Sequence, residues 1–165
     1  MVSLLYTFVG NLHIAFLSEE IEQIVELNKT MISRQSLENI RMHHIAYKEK
    51  WYPLFDLQKI FSSSESLPVR YSMMIKGSQN TIICGICTPN PIEEISIPEN
   101  HIYPFPAFLL QKQDICLLYA LVQFQDKDLF LCSLSDIWHP ITVAQYLLKK
   151  TFYPQPQEAL HDTNR

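Results

Sequence analysis

The most regular hydrophobic pattern in the chain is the segment WYPLFDL, which runs from Trp51 to Leu57. Apolar side chains occupy both alternating sets of positions, at the period of two that a pleated strand requires. The pattern predicts a strand with both faces covered, in which Pro53 sits where its missing N–H is not needed. Asp56 ends this strand and is placed to cap a short helix, Leu57 to Phe61.

Further alternating segments predict three hairpins, each made of two β-rich runs around a short polar connection. The connections are Gly10-Asn11, residues 77–80 and residues 125–128. Ile92 to Ile97 is predicted as one more short strand. Residues 28–39 are polar and mixed and are predicted to form a long loop, whereas the prolines within His101 to Phe108 predict an extended, non-helical crossing.

The last third of the chain repeats the first pattern. Residues 133–138 again predict a strand that runs into a capped helical turn, and apolar spacing from Ile141 to Phe152 predicts a helix. Residues 153–165 are polar and are predicted to be a disordered tail. Short strands, hairpin turns and brief helices indicate an all-β barrel or sandwich, and the repeated unit near Phe61 and Trp138 indicates two similar halves.

Composition narrows the class of protein. A length of 165 residues allows one domain with a real core. The net charge is −4 and no block of like charges occurs, which argues against an electrostatic nucleic-acid or membrane surface. No apolar stretch approaches the ~20 residues that cross a bilayer, and no charged region precedes the first apolar run. The expectation is a cytoplasmic protein without membrane insertion.

The strongest candidate for chemistry is the C-x-x-C segment from Cys84 to Cys87. A redox pair needs a thiolate activated at a helix N-terminus, whereas this segment lies in a β-rich run. Zinc would need two more ligands, and Cys116 and Cys132 are single. Buried thiols are therefore favoured, and a small metal- or thiol-dependent redox protein that uses Cys84 and Cys87 is the alternative.

Other catalytic signals are weak. His43 and His44 are adjacent and have no partner at ligand spacing, so they are predicted as loop or strand-edge histidines. Asp56 is better explained as a helix cap than as a general acid or base. Because neither a phosphate-binding glycine loop nor G-x-S-x-G occurs, we predict no enzyme, no cofactor, and no catalytic or metal-binding residue.

Lys48, Lys50, Trp51 and Tyr52 place cations beside aromatic rings. One interpretation is a solvated turn followed by a buried strand. The other is a partner-binding rim, in which Lys48 meets an acidic group and Trp51 is an anchor. Lys48 and Trp51 are therefore the candidate partner-binding residues.

The order of elements between Leu4 and Trp138 resembles the CheW-like domain, the coupling module of bacterial chemosensory arrays. Residues 5–8, 14–16 and 21–27 are similar to the opening strand pair and I-x-x-V-x-E-I segment of the family. Pro53, Asp56 and Leu57 match the last fixed positions of the N-L-R-G-x-x-x-P-x-x-D-L signature. Residues 92–97, 103–106 and 130–134 are similar to its closing pattern.

The sequence departs from the family where Ala46-Tyr47-Lys48-Glu49 stands in place of N-L-R-G, so the basic residue is a lysine. A guanidinium forks two donors toward a carboxylate and an ammonium does not. The V-D-x-V pattern of the family is replaced by Cys87-Thr88-Pro89-Asn90. These differences concern the binding surface more than the fold.

The resemblance implies two small five-stranded SH3-like barrels that share a core, with short helical turns and a C-terminal helix, in one domain over residues 1–152. It implies a non-catalytic adaptor that couples a chemoreceptor, or a pilus-array protein, to a CheA-type histidine kinase. In such domains one barrel docks on the kinase and a groove near the junction takes the receptor tip. A degenerate CheW-like module with a different protein partner is a further alternative.

Overall fold

The structure is a computed structural model, and it describes residues 1–61, 68–77, 79–110 and 118–132. Several predictions fall outside these residues: the capped turn at 133–138, the helix at 141–152, the tail at 153–165 and the environment of Cys116.

Strands dominate the described chain. The strands are β1 (Val2–Val9), β2 (Leu12–Leu17), β3 (Ile21–Glu26), β4 (Ile32–Leu37), β5 (Ile40–Tyr47), β6 (Lys50–Asp56), β7 (Tyr71–Lys76), β8 (Ile82–Thr88), β9 (Glu93–Ile97), β10 (Ile102–Pro104), β11 (Leu118–Phe124) and β12 (Lys127–Cys132). The helices are short: α1 (Leu57–Phe61), α2 (Ala107–Leu110) and the single 3-10 turns Ser18–Glu20, Lys29–Met31 and Glu99–His101. The predicted all-β class is confirmed.

The strands form two sheets built on one plan. The first sheet has the order β10-β11-β12-β2-β1-β9 and the second has the order β3-β7-β8-β6-β5-β4. In each sheet two antiparallel triplets meet at one parallel pair, which is β12 with β2 in the first sheet and β6 with β8 in the second. The similar units are the two sheets and not two halves of the chain, because the first sheet takes β1, β2 and β9 to β12 whereas the second takes β3 to β8.

Each sheet curls around a core of its own. In the second sheet β3 and β4 stand at opposite ends of the order, yet Val25 and Ile32 both pack against the same buried residues. In the first sheet Ile95 of β9 and Ile102 of β10 likewise share one core. We name the core of the first sheet, which includes Leu4, Ile95 and Leu131, the first core, and that of the second sheet the second core. The second core consists of Ile45, Tyr47, Leu54, Met74 and Cys87.

A third cluster, the junction core, joins the two sheets. Leu5, Phe16 and Phe55 belong to it together with Leu57 and Ile60 of α1. Because side chains alternate along a strand, the neighbours Leu4 and Leu54 point instead into the first and second cores. Phe16 and Phe55 are 0 % and 1 % exposed, and burial of each contributes roughly 1.5–3 kcal/mol. The shared core agrees with the CheW-like expectation.

Side-chain hydrogen bonds fix the passage of the chain from the second sheet to the first. Asn90 Nδ2 donates to the carbonyl of Phe8 at 2.7 Å, and Thr7 Oγ1 donates to the carbonyl of Pro91 at 2.9 Å. Thr7 is fully buried, so this bond removes the cost of an unsatisfied hydroxyl.

The long loop predicted for residues 28–39 is wrong. Asn28 caps a 3-10 turn by accepting from the amides of Thr30 and Met31, and β4 follows and pairs with β5. The connecting turn, Glu38-Asn39, has φ values of 45° and 68°, as a type I′ turn requires. Glycine usually marks such a turn, and its absence concealed the hairpin.

Three further expectations change in detail. Among the described residues each sheet has six strands, with β10 and β9 at the two ends of the first and β3 and β4 at the two ends of the second. His44 is 5 % exposed within β5, which is paired on both sides, so it is not a strand-edge residue. The crossing from 101 to 108 is extended at β10 but helical at α2, where Pro106 precedes the first turn and its missing N–H costs no helical bond.

Candidate partner-binding site

The candidate site lies at the tip of the β5–β6 hairpin. Tyr47 pairs with Lys50, and the two residues between them, Lys48 and Glu49, have φ values of 47° and 63°. Both are therefore left-handed, which gives a type I′ turn whose twist matches that of the flanking strands. The tip ends β5 sharply and carries Lys48 into solvent, with 62 % of its side chain exposed.

Lys48 is engaged within the chain. Its Nζ donates to Glu22 Oε1 on β3 at 3.2 Å and lies 5.3 Å from the centre of the Tyr47 ring. The hydrogen bond that Lys48 donates to Glu22 is the largest cause of the raised pKa of Lys48. Exposed ion pairs of this kind add little stability, so a carboxylate from a partner could replace Glu22 at low cost.

Tyr47 anchors the tip beside β3. It is 9 % exposed, and its hydroxyl donates to Gln23 Oε1 at 2.7 Å. The ring packs in the second core, so the position of the neighbouring Lys48 is held by buried surface. Sequence analysis did not identify Tyr47 or Glu22 as parts of this site, because β3 and the tip are brought together only by the curl of the sheet.

Trp51 is half-exposed, with 45 % of its surface accessible. It lies opposite Ala46, one residue beyond Lys50, on the face of β6 that continues to Phe55 in the junction core. Leu54 and Phe55 are buried on opposite faces, which confirms the predicted two-sided strand at its end, whereas its beginning is uncovered. The structure thus places Lys48 and Trp51 on one hairpin, with an exposed indole available for contact.

Asp56 is a cap. Its Oδ1 accepts from the amide of Gln58 at 2.9 Å, at the start of α1. Burial raises the pKa of this carboxyl, while the backbone hydrogen bond and the charge of Lys59 act in the opposite direction. Its place at the end of β6 accounts for the D-L pair noted in the sequence.

Cys84 and Cys87 lie on opposite faces of β8. Cys84 belongs to the junction core and Cys87 to the second core, where they are 0 % and 3 % exposed. Burial raises the pKa of both thiols, so neither is an activated thiolate. Two side chains in different cores cannot bind one ion or form a disulfide with each other, which argues against the redox or metal alternative.

Comparison with known proteins bears on the fold. No protein-family model matches the chain, and no curated protein matches its sequence. A crystal structure of the scaffolding protein TtCheW from Thermoanaerobacter tengcongensis superposes with a TM-score of 0.63 at 17 % identity, covering 83 % of this chain and 92 % of that one. The fold is CheW-like. Among the helices that the structure describes in this chain, none is long and apolar enough to span a membrane.

Proposed function

We propose that this chain is a non-catalytic adaptor of a bacterial chemosensory array, located in the cytoplasm, where it couples a receptor to a CheA-type histidine kinase. The observation that carries the proposal is the likeness of fold over 83 % of the chain to a protein described as a scaffold. The burial of Cys84 and Cys87 in separate cores also favours a binding protein over a redox protein.

The β5–β6 tip is the proposed contact with the kinase. An exposed tryptophan and a cation on one hairpin provide two features that are common in protein interfaces, an aromatic anchor and a charged rim. Trp51 supplies the apolar area, and Lys48 exchanges Glu22 for a carboxylate of the partner. Because Tyr47 and the type I′ turn already fix the tip, little conformational entropy is lost on binding.

The test is a calorimetric titration against the regulatory domain of a CheA-type kinase from the same cell. We expect saturable binding that Trp51→Ala weakens at least 10-fold, because truncation of an aromatic anchor costs about 2 kcal/mol or more. Lys48→Glu should weaken binding less and make it less sensitive to salt.

Matched controls lie on the first sheet. Tyr103 is also 45 % exposed, so Tyr103→Ala removes an equally accessible aromatic, and Lys127→Glu makes the same charge change as Lys48→Glu. Equal losses in the control variants would contradict the placement of the interface. Absence of binding by the native chain would withdraw the kinase as partner and favour a CheW-like module with a different partner, to be sought by an unbiased pull-down.

A further inference from the structure

Four exposed basic side chains lie on β4, β5 and α1, away from the β5–β6 tip that carries Lys48. We name Arg34, Arg41, His43 and Lys59 the basic patch. Arg34 lies directly opposite His43 across the two strands, and Arg41 is two residues from His43 on the same face of β5. Partial burial lowers the pKa of His43, and the positive charges of Lys59 and Arg34 lower it further.

Within the described residues, few carboxylates act on the basic patch. Asp56 is the carboxylate that acts on His43, but it is partly buried and accepts from the amide of Gln58. The described residues contain one salt bridge, between Lys48 and Glu22, and none that uses Arg34, Arg41 or Lys59. In a chain with a net charge of −4, a local excess of positive charge of this kind requires an explanation.

The edge beside the basic patch is open. β4 ends the strand order of the second sheet, and no strand in the described part of the chain pairs with its outer side. An extended peptide can add itself to such an edge, with backbone hydrogen bonds that give affinity and alternate side chains that give specificity. Arg34 lies on this edge strand, so its charge is next to the edge that no described strand covers.

We propose that the outer edge of β4 and the basic patch bind an extended acidic segment of a partner protein. The segment adds one strand to the second sheet, and its carboxylates pair with Arg34, Arg41 and Lys59. A peptide suits the site better than a nucleic acid, because the strand edge offers hydrogen-bond donors and acceptors in the spacing of a peptide backbone. This interaction is independent of the kinase contact proposed for the hairpin tip.

The experiment uses fluorescence anisotropy with the full chain and a labelled peptide in which glutamate alternates with valine. We expect saturable binding that weakens as salt rises, and no binding of the peptide with lysine in place of glutamate. Arg34→Glu combined with Arg41→Glu should weaken binding at least 10-fold. Lys76→Glu combined with Lys127→Glu changes the net charge equally at distant positions and should change affinity less than twofold.

Several results would overturn the proposal. These are absence of binding to the acidic peptide, equal weakening by the two double variants, and tighter binding of a labelled single-stranded oligonucleotide than of the peptide. If Arg34 serves only to protect the strand edge from aggregation, the acidic peptide does not bind, which is the first of these results.

Sedimentation of the chain alone tests whether a second copy supplies the acidic segment. Glu93 and Glu94 lie on β9 at the end of the first sheet, so in that case Arg34→Glu would abolish a dimer. Circular dichroism verifies that each variant is folded.

Discussion

Substitution of Gly85 by alanine tests how tightly the second sheet is packed at its parallel pair. Gly85 lies in β8 between Leu54 of β6 and Met74 of β7. A Cβ at this position would lie 2.8 Å from Ser72 Oγ, 3.1 Å from Ile45 Cγ2 and 3.1 Å from Leu54 Cδ1. Because all three neighbours are buried, none can leave without moving the second core.

The magnitude follows from two opposing effects. Overpacking of a close-packed core costs about 1–3 kcal/mol. Alanine also restricts the unfolded chain more than glycine does, which returns about 0.4–1 kcal/mol. We therefore expect Gly85→Ala to lower the free energy of unfolding by about 1–2 kcal/mol. With a urea slope of about 2 kcal/mol per molar, the midpoint falls by about 0.5–1 M.

The assay is urea denaturation followed by tryptophan fluorescence and circular dichroism. Ser72→Ala removes the nearest atom, so the double variant should lose less stability than the sum of the two single variants, by at least about 0.5 kcal/mol. If Gly85→Ala is as stable as the native chain, or if the two substitutions are additive, the close approach of the neighbouring strands is not what requires glycine here.

Two further predictions concern a partly buried carboxyl and two buried thiols. Asp56→Ala should cost about 1 kcal/mol through loss of the cap, and Asp56→Asn, which also caps, should cost less. Burial raises the pKa of Asp56 in the folded chain above the unfolded value near 3.8. The protonated carboxyl therefore stabilises the fold fully below the unfolded pKa, and this stabilisation is lost as pH rises through the folded pKa. Asp56→Asn has no carboxyl to titrate, so its free energy of unfolding should rise relative to that of the native chain as pH increases through these pKa values. Urea midpoints measured at successive pH values test this. Cys84 and Cys87 should react with a thiol reagent far more slowly in buffer than in denaturant, as mapped by mass spectrometry; fast labelling of either thiol in buffer would contradict their burial.

Alternation along the strands was sufficient to predict much of the fold. The strand from Trp51, the cap at Asp56 and the opposite faces of Cys84 and Cys87 all follow from local periodicity and chain chemistry, and the structure confirms them. These features depend on residues that are near one another in sequence. The CheW-like architecture was predicted from a resemblance spread over the chain.

The features that the sequence did not predict are turns without glycine and contacts between strands that are distant in sequence. Glu38-Asn39 and Lys48-Glu49 adopt left-handed turns without glycine, so neither carries the usual hairpin signal. The pair formed by Lys48 and Glu22 requires the second sheet to curl, and the basic patch requires β4, β5 and α1 to converge. No periodicity within a single segment reports such convergence.

The two sheets are nested in the order of the chain, and this has a consequence for folding during synthesis. The second sheet is built from strands between Ile21 and Thr88, whereas the first begins at β1 and β2 and is completed only when β12 pairs alongside β2. The second sheet can therefore fold on the ribosome while the β1–β2 hairpin waits with its β2 edge unpaired. Pairing between strands so distant in sequence is slow, and the unpaired edge of β2 can meanwhile pair with other chains. Aggregation should therefore be most favoured before synthesis of β12 is complete.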